Sequence, residues 1–130
     1  MLVDILSTNI ESISAITLFT RNMSDAVKFY DSLGFKLLYG GETTSFSSFS
    51  VGPGYLNLSL CSDENEHKDW GRVIIYVSNV DVMHERAVSL GLFPLSRPKD
   101  APWGERYFHI RDPDGHEISF ARRLEDDTCI

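Results

Sequence analysis

Apolar and polar positions alternate over Tyr107–Arg111 and again over Glu117–Ala121, with Asp112-Pro113-Asp114-Gly115 between the two runs. A period of two places successive side chains on opposite faces of a strand. Phe108, Ile110, Ile118 and Phe120 therefore share one apolar face. Tyr107, His109, Arg111, Glu117 and Ser119 share the other. The intervening residues suit a tight turn: Pro fixes φ, Asp accepts local backbone hydrogen bonds and Gly tolerates a positive φ. A hairpin with one apolar face and one polar, aromatic face can pack on a core and still line a ligand cavity.

The same reading applies along the rest of the chain. Ser14–Thr20 predicts a strand, with Ile16 and Leu18 opposite Ala15, Thr17 and Phe19. Asn22-Met23-Ser24 offers helix caps. Asp25–Leu33 predicts a helix with Ala26, Phe29, Tyr30 and Leu33 on one side, stopped by Gly34. Phe35–Tyr39 is a strand, and Phe46–Val51 with Tyr55–Leu60 a hairpin turning at Gly52-Pro53-Gly54. The order then restarts. Arg72–Val77 predicts a strand, Asn79 a cap, and Val82–Leu90 a helix whose buried side is Val80, Met83, Ala87 and Leu90. Gly91 stops it, and Leu92–Ser96 is a short extended stretch interrupted by Pro94.

The two halves correspond at an offset of 57 residues: Ile16, Leu18, Asn22, Leu33 and Gly34 fall on Val73, Ile75, Asn79, Leu90 and Gly91. Strand, cap, helix and terminal Gly in one register point to a structural repeat. Each unit has a helix on one sheet face only, so the other face is left for a partner or a ligand. The predicted fold class is α+β, two tandem βαβββ modules forming a cup-shaped mixed sheet with helices on the outer face. The modules span about 13–62 and 70–123. Residues 1–12 form an N-terminal arm of open conformation, and 124–130 a tail.

With 130 residues and 42% hydrophobic content, the chain suffices for one domain with a real core. The net charge of −7 argues against nucleic-acid and anionic-membrane partners. Part of that charge lies in Asp63–Glu66 and Glu125–Asp127, read as a loop and a tail. Cys61 and Cys129 do not make a disulfide framework. No apolar run reaches the ~20 residues that span a bilayer, and the N-terminus is acidic where a signal peptide is basic. The expectation is a cytoplasmic protein.

Three stretches carry a family resemblance: NMSDAVKFYDSLGF from Asn22 to Phe35, VDVMHERAVSLG from Val80 to Gly91, and DPDGHEISF from Asp112 to Phe120. Together they resemble the vicinal-oxygen-chelate superfamily, which includes glyoxalase I, extradiol dioxygenases, fosfomycin-resistance enzymes and bleomycin-resistance proteins. PWGERYFHIRDPDG, from Pro102 to Gly115, is most similar to the bleomycin-resistance branch. The resemblance implies a homodimer, sometimes with modules exchanged between chains. It also implies where a divalent metal would be held in the metal-dependent members. At those positions this chain has Ala15, Arg72, Ser119, and Asn57 or Ser59. An aliphatic side chain and a guanidinium are not metal donors, so the metal-dependent chemistry is not expected.

The expected ligand contacts are Arg72, Trp103, Tyr107, His109, Glu117, Ser119, Phe49 and Asn57, with no catalytic residue, metal or cofactor. Arg72 is read both as a salt-bridge partner of Glu117 and as an anchor for an anion or carbonyl. Trp103, between Pro102 and Gly104, suits stacking on a planar guest. His109 and Glu117 share a parity with Ser119 and read as a polar lining rather than a displaced metal site. His67, His84 and His116 read as surface residues. Three functions follow: a metal-free binding protein for a small, partly aromatic molecule; a metal-dependent lyase or dioxygenase with non-standard ligands; or a non-enzymatic interaction module.

Overall fold

The structure, a computed structural model, describes residues 11–61 and 72–124. The readings of the arm before Glu11, of Asp63–Glu66, His67, Glu125–Asp127 and Cys129 lie outside them. The chain builds β1 (Ala15–Thr20), α1 (Met23–Ser32), β2 (Lys36–Tyr39), β3 (Phe46–Val51) and β4 (Gly54–Leu60). It then builds β5 (Arg72–Tyr76), α2 (Val80–Ser89), β6 (Lys99–Asp100), β7 (Glu105–Arg111) and β8 (Glu117–Arg123). The strands form two four-stranded sheets, ordered β1-β4-β3-β2 and β5-β8-β7-β6. In each, the first and last strands of the module run parallel and the remaining pairs antiparallel. The α+β class and the two βαβββ modules are as the alternation predicts. Among the described residues no helix is long and apolar enough to cross a membrane.

The helices start and stop for the same reasons in both modules. Asn22 is extended and its side chain accepts the Asp25 N–H at 3.0 Å; Asn79 does the same for Val82 at 3.1 Å. Each cap satisfies a backbone donor that the first turn leaves without an intrahelical partner. At the other end the Phe35 N–H reaches the Tyr30 carbonyl at 3.0 Å, and the Leu92 N–H the Ala87 carbonyl at 3.0 Å. The reversal runs through Gly34 at φ +107° and Gly91 at φ +83°, which a side chain would strain. Both helices begin two residues before the apolar spacing alone suggests.

The offset of 57 holds through the helices and then grows. Ala15 pairs with Tyr55 and Arg72 with Glu117, so β4 and β8 are related by 62. The extra residues fall in the stretch after α2. The predicted extended segment Leu92–Ser96 is not a strand; Pro94 interrupts it, Pro98 follows it, and pairing with β7 begins only at Lys99. One ladder-like bond, Leu95 N–H to the His109 carbonyl at 2.8 Å, ties it down.

One core joins both modules. It includes Leu18, Tyr30, Phe49 and Leu58 from the first and Val73, Phe108, Ile118 and Phe120 from the second. Phe35 bridges them, with ring centroids 6.1 Å from Phe49 and 6.2 Å from Phe120. The helix α2 commits less to this core than predicted: Val80 and Ala87 are buried, Met83 partly so, and Leu90 is exposed.

The hairpin turn at Asp112 couples the modules. Asp112 Oδ1 accepts the N–H groups of Asp114 and His116 at 2.9 Å each, as the turn chemistry predicts. Its Oδ2 accepts the Tyr30 hydroxyl at 2.7 Å. Asp114 Oδ1 accepts the Arg21 N–H at 2.9 Å. His116 corrects the sequence reading. It is buried, and its Nε2 lies 2.7 Å from the Phe19 carbonyl oxygen, an acceptor, so Nε2 carries the proton. The turn places the imidazole at the module seam, which the local sequence does not reveal.

Candidate functional site

The outward face of the β5-β8-β7-β6 sheet, turned away from the core, collects most of the polar residues that the alternation singled out. Strand register lays them out in rows. Arg72, Glu117 and Arg111 lie side by side across β5, β8 and β7. The next row is Ile74, Ser119 and His109, and the next is Tyr76, Ala121, Tyr107 and Lys99. Ser119 and Ala121 are buried, so these short side chains form a floor over which their longer neighbours lean.

Charge is arranged around Glu117. Arg72 donates to Glu117 Oε2 from Nε at 3.0 Å and approaches it with Nη2 at 2.8 Å. The Nη2 of Arg111 lies 3.7 Å from the other carboxylate oxygen. His109 Nδ1 is hydrogen-bonded to Ser119 Oγ at 2.6 Å and lies 3.8 Å from Glu117 Oε2. Burial pushes the His109 pKa down, the positive charges of Arg72 and Lys99 push it the same way, and Glu117 opposes them.

The aromatic part lies at the other end of the face. Trp103, in the turn between β6 and β7, stacks on Tyr107 with centroids 5.8 Å apart and an interplanar angle of 25°. Tyr107 is in turn 4.9 Å from the His109 ring. Lys99 Nζ stands 5.8 Å from the Tyr107 ring centroid. The Glu105 carboxylate holds two donors, the Trp103 indole N–H at 3.1 Å and the Tyr76 hydroxyl. That carboxylate fixes the resting position of an indole which is 68% exposed.

Arg72, Trp103, Tyr107, His109, Glu117 and Ser119 thus lie on one sheet face. Two expected contacts do not join them. Phe49 is a correction: it is fully buried and packs against Tyr30 and Phe35, because β3 turns Phe46, Ser48 and Ser50 outward and Phe49 inward. Asn57 lies on the other sheet, where its Nδ2 donates to Thr17 Oγ1 at 3.2 Å. Thr17 pairs with Asn57 as Ile74 pairs with Ser119, so Asn57, not Ser59, is the counterpart of Ser119. Glu105, Lys99 and Tyr76 also lie on this face and are not among the contacts expected from the sequence. The parity that Glu105 shares with Tyr107 and His109 was the available signal.

The donor set does not fit a divalent metal at the positions that the family resemblance implies for one. Ala15 has no donor and Arg72 is a cation. Ser119 is engaged with His109, and Asn57 offers only a neutral amide. Among the described residues no three His, Cys, Asp or Glu side chains converge as a metal site.

Comparison with known proteins gives the fold a lineage. Residues 12–120 match the glyoxalase/bleomycin resistance protein/dioxygenase superfamily. No curated protein sequence matches. Among solved structures, a glyoxalase/bleomycin resistance protein/dioxygenase from Nocardioides is 23% identical, covering 93% of this chain and 89% of its own, with a TM-score of 0.70. TioX from Micromonospora sp. ML1 is 25% identical over 88% of this chain and 100% of its own, TM-score 0.71. A lactoylglutathione lyase from Agrobacterium tumefaciens is 20% identical over 87% and 94%, TM-score 0.68.

Proposed function

The chain belongs to the glyoxalase/bleomycin resistance protein/dioxygenase superfamily, and on that premise we propose that it binds a small, partly aromatic molecule without a metal, on the outward face of the second sheet. The observation that carries this reading is the continuous path of aromatic rings, Trp103 on Tyr107 and Tyr107 beside His109, that runs along β7 across successive rows to Arg72 and Glu117. Binding of this kind needs shape, stacking and a few oriented polar atoms, and those are what the face offers. A resident metal would have to displace a guanidinium and a hydroxyl already hydrogen-bonded to neighbours.

A second copy of the chain closes the site in this reading. Phe19 and Tyr55 on one outward face, and Ile74 and Tyr76 on the other, are 47–58% exposed. Apolar side chains grouped on open sheet faces favour burial against a partner, and a two-fold dimer does this with one repeated contact.

One observation favours the metal-dependent alternative: His109, Ser119 and Glu117 converge, with His109 Nδ1 3.8 Å from Glu117 Oε2. Native mass spectrometry of protein purified without chelator separates the two. The expected spectrum is a dimer without stoichiometric metal. One Zn, Fe, Mn or Ni per chain, lost on His109→Ala, overturns the metal-free reading. A monomer at micromolar concentration overturns the shared site.

A further inference from the structure

The outward face of the second sheet has a charge opposite to that of the chain. It carries Arg72, Arg111, Lys99 and Arg123 against two carboxylates, Glu117 and Glu105, while the whole chain carries −7. The excess is concentrated. Glu117 is the single acid in a row with two guanidiniums, and Glu105, at the far end, is occupied by Trp103 and Tyr76. Arg72 and Arg111 are 47% and 46% exposed at their side chains; Arg72 meets Glu117 through Nε and Nη2, Arg111 gives Nη1 to the Gly115 carbonyl at 3.1 Å, and each guanidinium keeps further N–H groups for a guest. Local charges within a Debye length outweigh distant ones, so the net charge of the molecule does not decide what this face attracts. The downward push of Arg72 and Lys99 on the His109 pKa registers the same positive field.

The distance between the charged and aromatic parts is also set. The row of Arg111 lies two residues along β7 from His109, about 7 Å at strand spacing. The Tyr107 and His109 rings, with Trp103 stacked beyond them, supply the surface for a planar group. Resting on the binding reading above, we propose that the guest is a planar aromatic anion. Its ring lies against the outer side of the Trp103–Tyr107 stack and the His109 ring, and its carboxylate or similar group is held by Arg72 and Arg111. Guanidinium–carboxylate pairs are charge-assisted and directional, which selects an anion of planar geometry.

Three probes of matched shape test this on the full chain: 2-naphthoate, 2-naphthylmethylammonium and 2-naphthalenemethanol, compared by isothermal titration calorimetry. The expected order is naphthoate about tenfold tighter than the ammonium, with the alcohol between them. Arg72→Gln and Arg111→Gln should each lower naphthoate affinity several-fold and leave the alcohol unchanged. Trp103→Ala should weaken all three alike. Arg111→Gln keeps the Arg72–Glu117 pair, so it remains informative if Arg72→Gln does not fold. If all three bind and the ammonium equals or exceeds naphthoate, the anion assignment is overturned and the binding reading stands. If none binds at millimolar concentration, both are overturned.

Discussion

The Tyr30 hydroxyl donates to Asp112 Oδ2 at 2.7 Å, joining α1 of the first module to the turn between β7 and β8, 82 positions later. Both residues are buried. Burial pushes the Tyr30 pKa well up, and the adjacent carboxylate adds to the shift. The phenol is therefore the donor of this pair. Tyr30→Phe keeps the ring packing and leaves one buried carboxylate oxygen without its donor. The expected cost is about 1.5–3 kcal/mol, the range for hydrogen bonds to charged groups. Urea denaturation should show a lowered midpoint with an unchanged slope.

Asp112 itself makes stability depend on pH. Burial raises its pKa, opposed by the Tyr30 hydrogen bond and His116. A carboxyl with a raised folded pKa holds its proton longer in the native state than in the unfolded one. Between the ordinary Asp value and the raised one the native state binds more protons, so this group's contribution falls as pH rises. Its stabilisation is complete below the unfolded pKa and is lost through the folded one. Natural-abundance or 13C-labelled carboxyl NMR should give an Asp112 midpoint above the ordinary Asp range; a midpoint below it contradicts the burial argument.

His109 shifts in the opposite direction. Its pKa is lowered by burial first, then by Arg72 and Lys99. Histidine NMR titration should find a midpoint below the ordinary value, and Arg72→Gln should raise it by removing a nearby cation. For this base the unfolded chain binds more protons in the interval between the two pKa values. Its effect on stability therefore increases with pH there and is lost on acidification.

Two aromatic substitutions distinguish core from site. Phe49→Ala empties a fully buried position and should cost about 3–5 kcal/mol. Trp103→Ala removes an exposed side chain and should leave thermal stability within about 0.5 kcal/mol. Equal thermal melts for the two variants would contradict the assigned burial.

The caps should differ in consequence despite closely similar geometry. Asn22→Ala and Asn79→Ala each remove one side-chain acceptor from a first turn, about 1 kcal/mol. α1 buries five residues and α2 only Val80 and Ala87. Amide hydrogen exchange should therefore show α2 opening locally in Asn79→Ala, while Asn22→Ala lowers global stability.

The alternation of side chains determined which residues share a face, and the Asn caps and Gly stops determined where the helices lie. These are local properties, legible because strand and helix periods are fixed by backbone geometry. That is why the sequence alone groups Tyr107, His109, Glu117 and Ser119. Periodicity does not say which face meets the core or what lies across a seam. Phe49 and Tyr76 are both strand aromatics, yet the first is buried and the second exposed. Pro94 marks the stretch after α2 in the sequence, but only the strand register shows the offset growing there from 57 to 62. His116 and Asp112 acquired their buried partners only when the modules packed, because Phe19 and Tyr30 come from the other half of the chain. Local sequence fixed orientation within each element; tertiary packing decided burial, pairing and charge at the seam and on the open face, since those depend on neighbours brought from far along the chain.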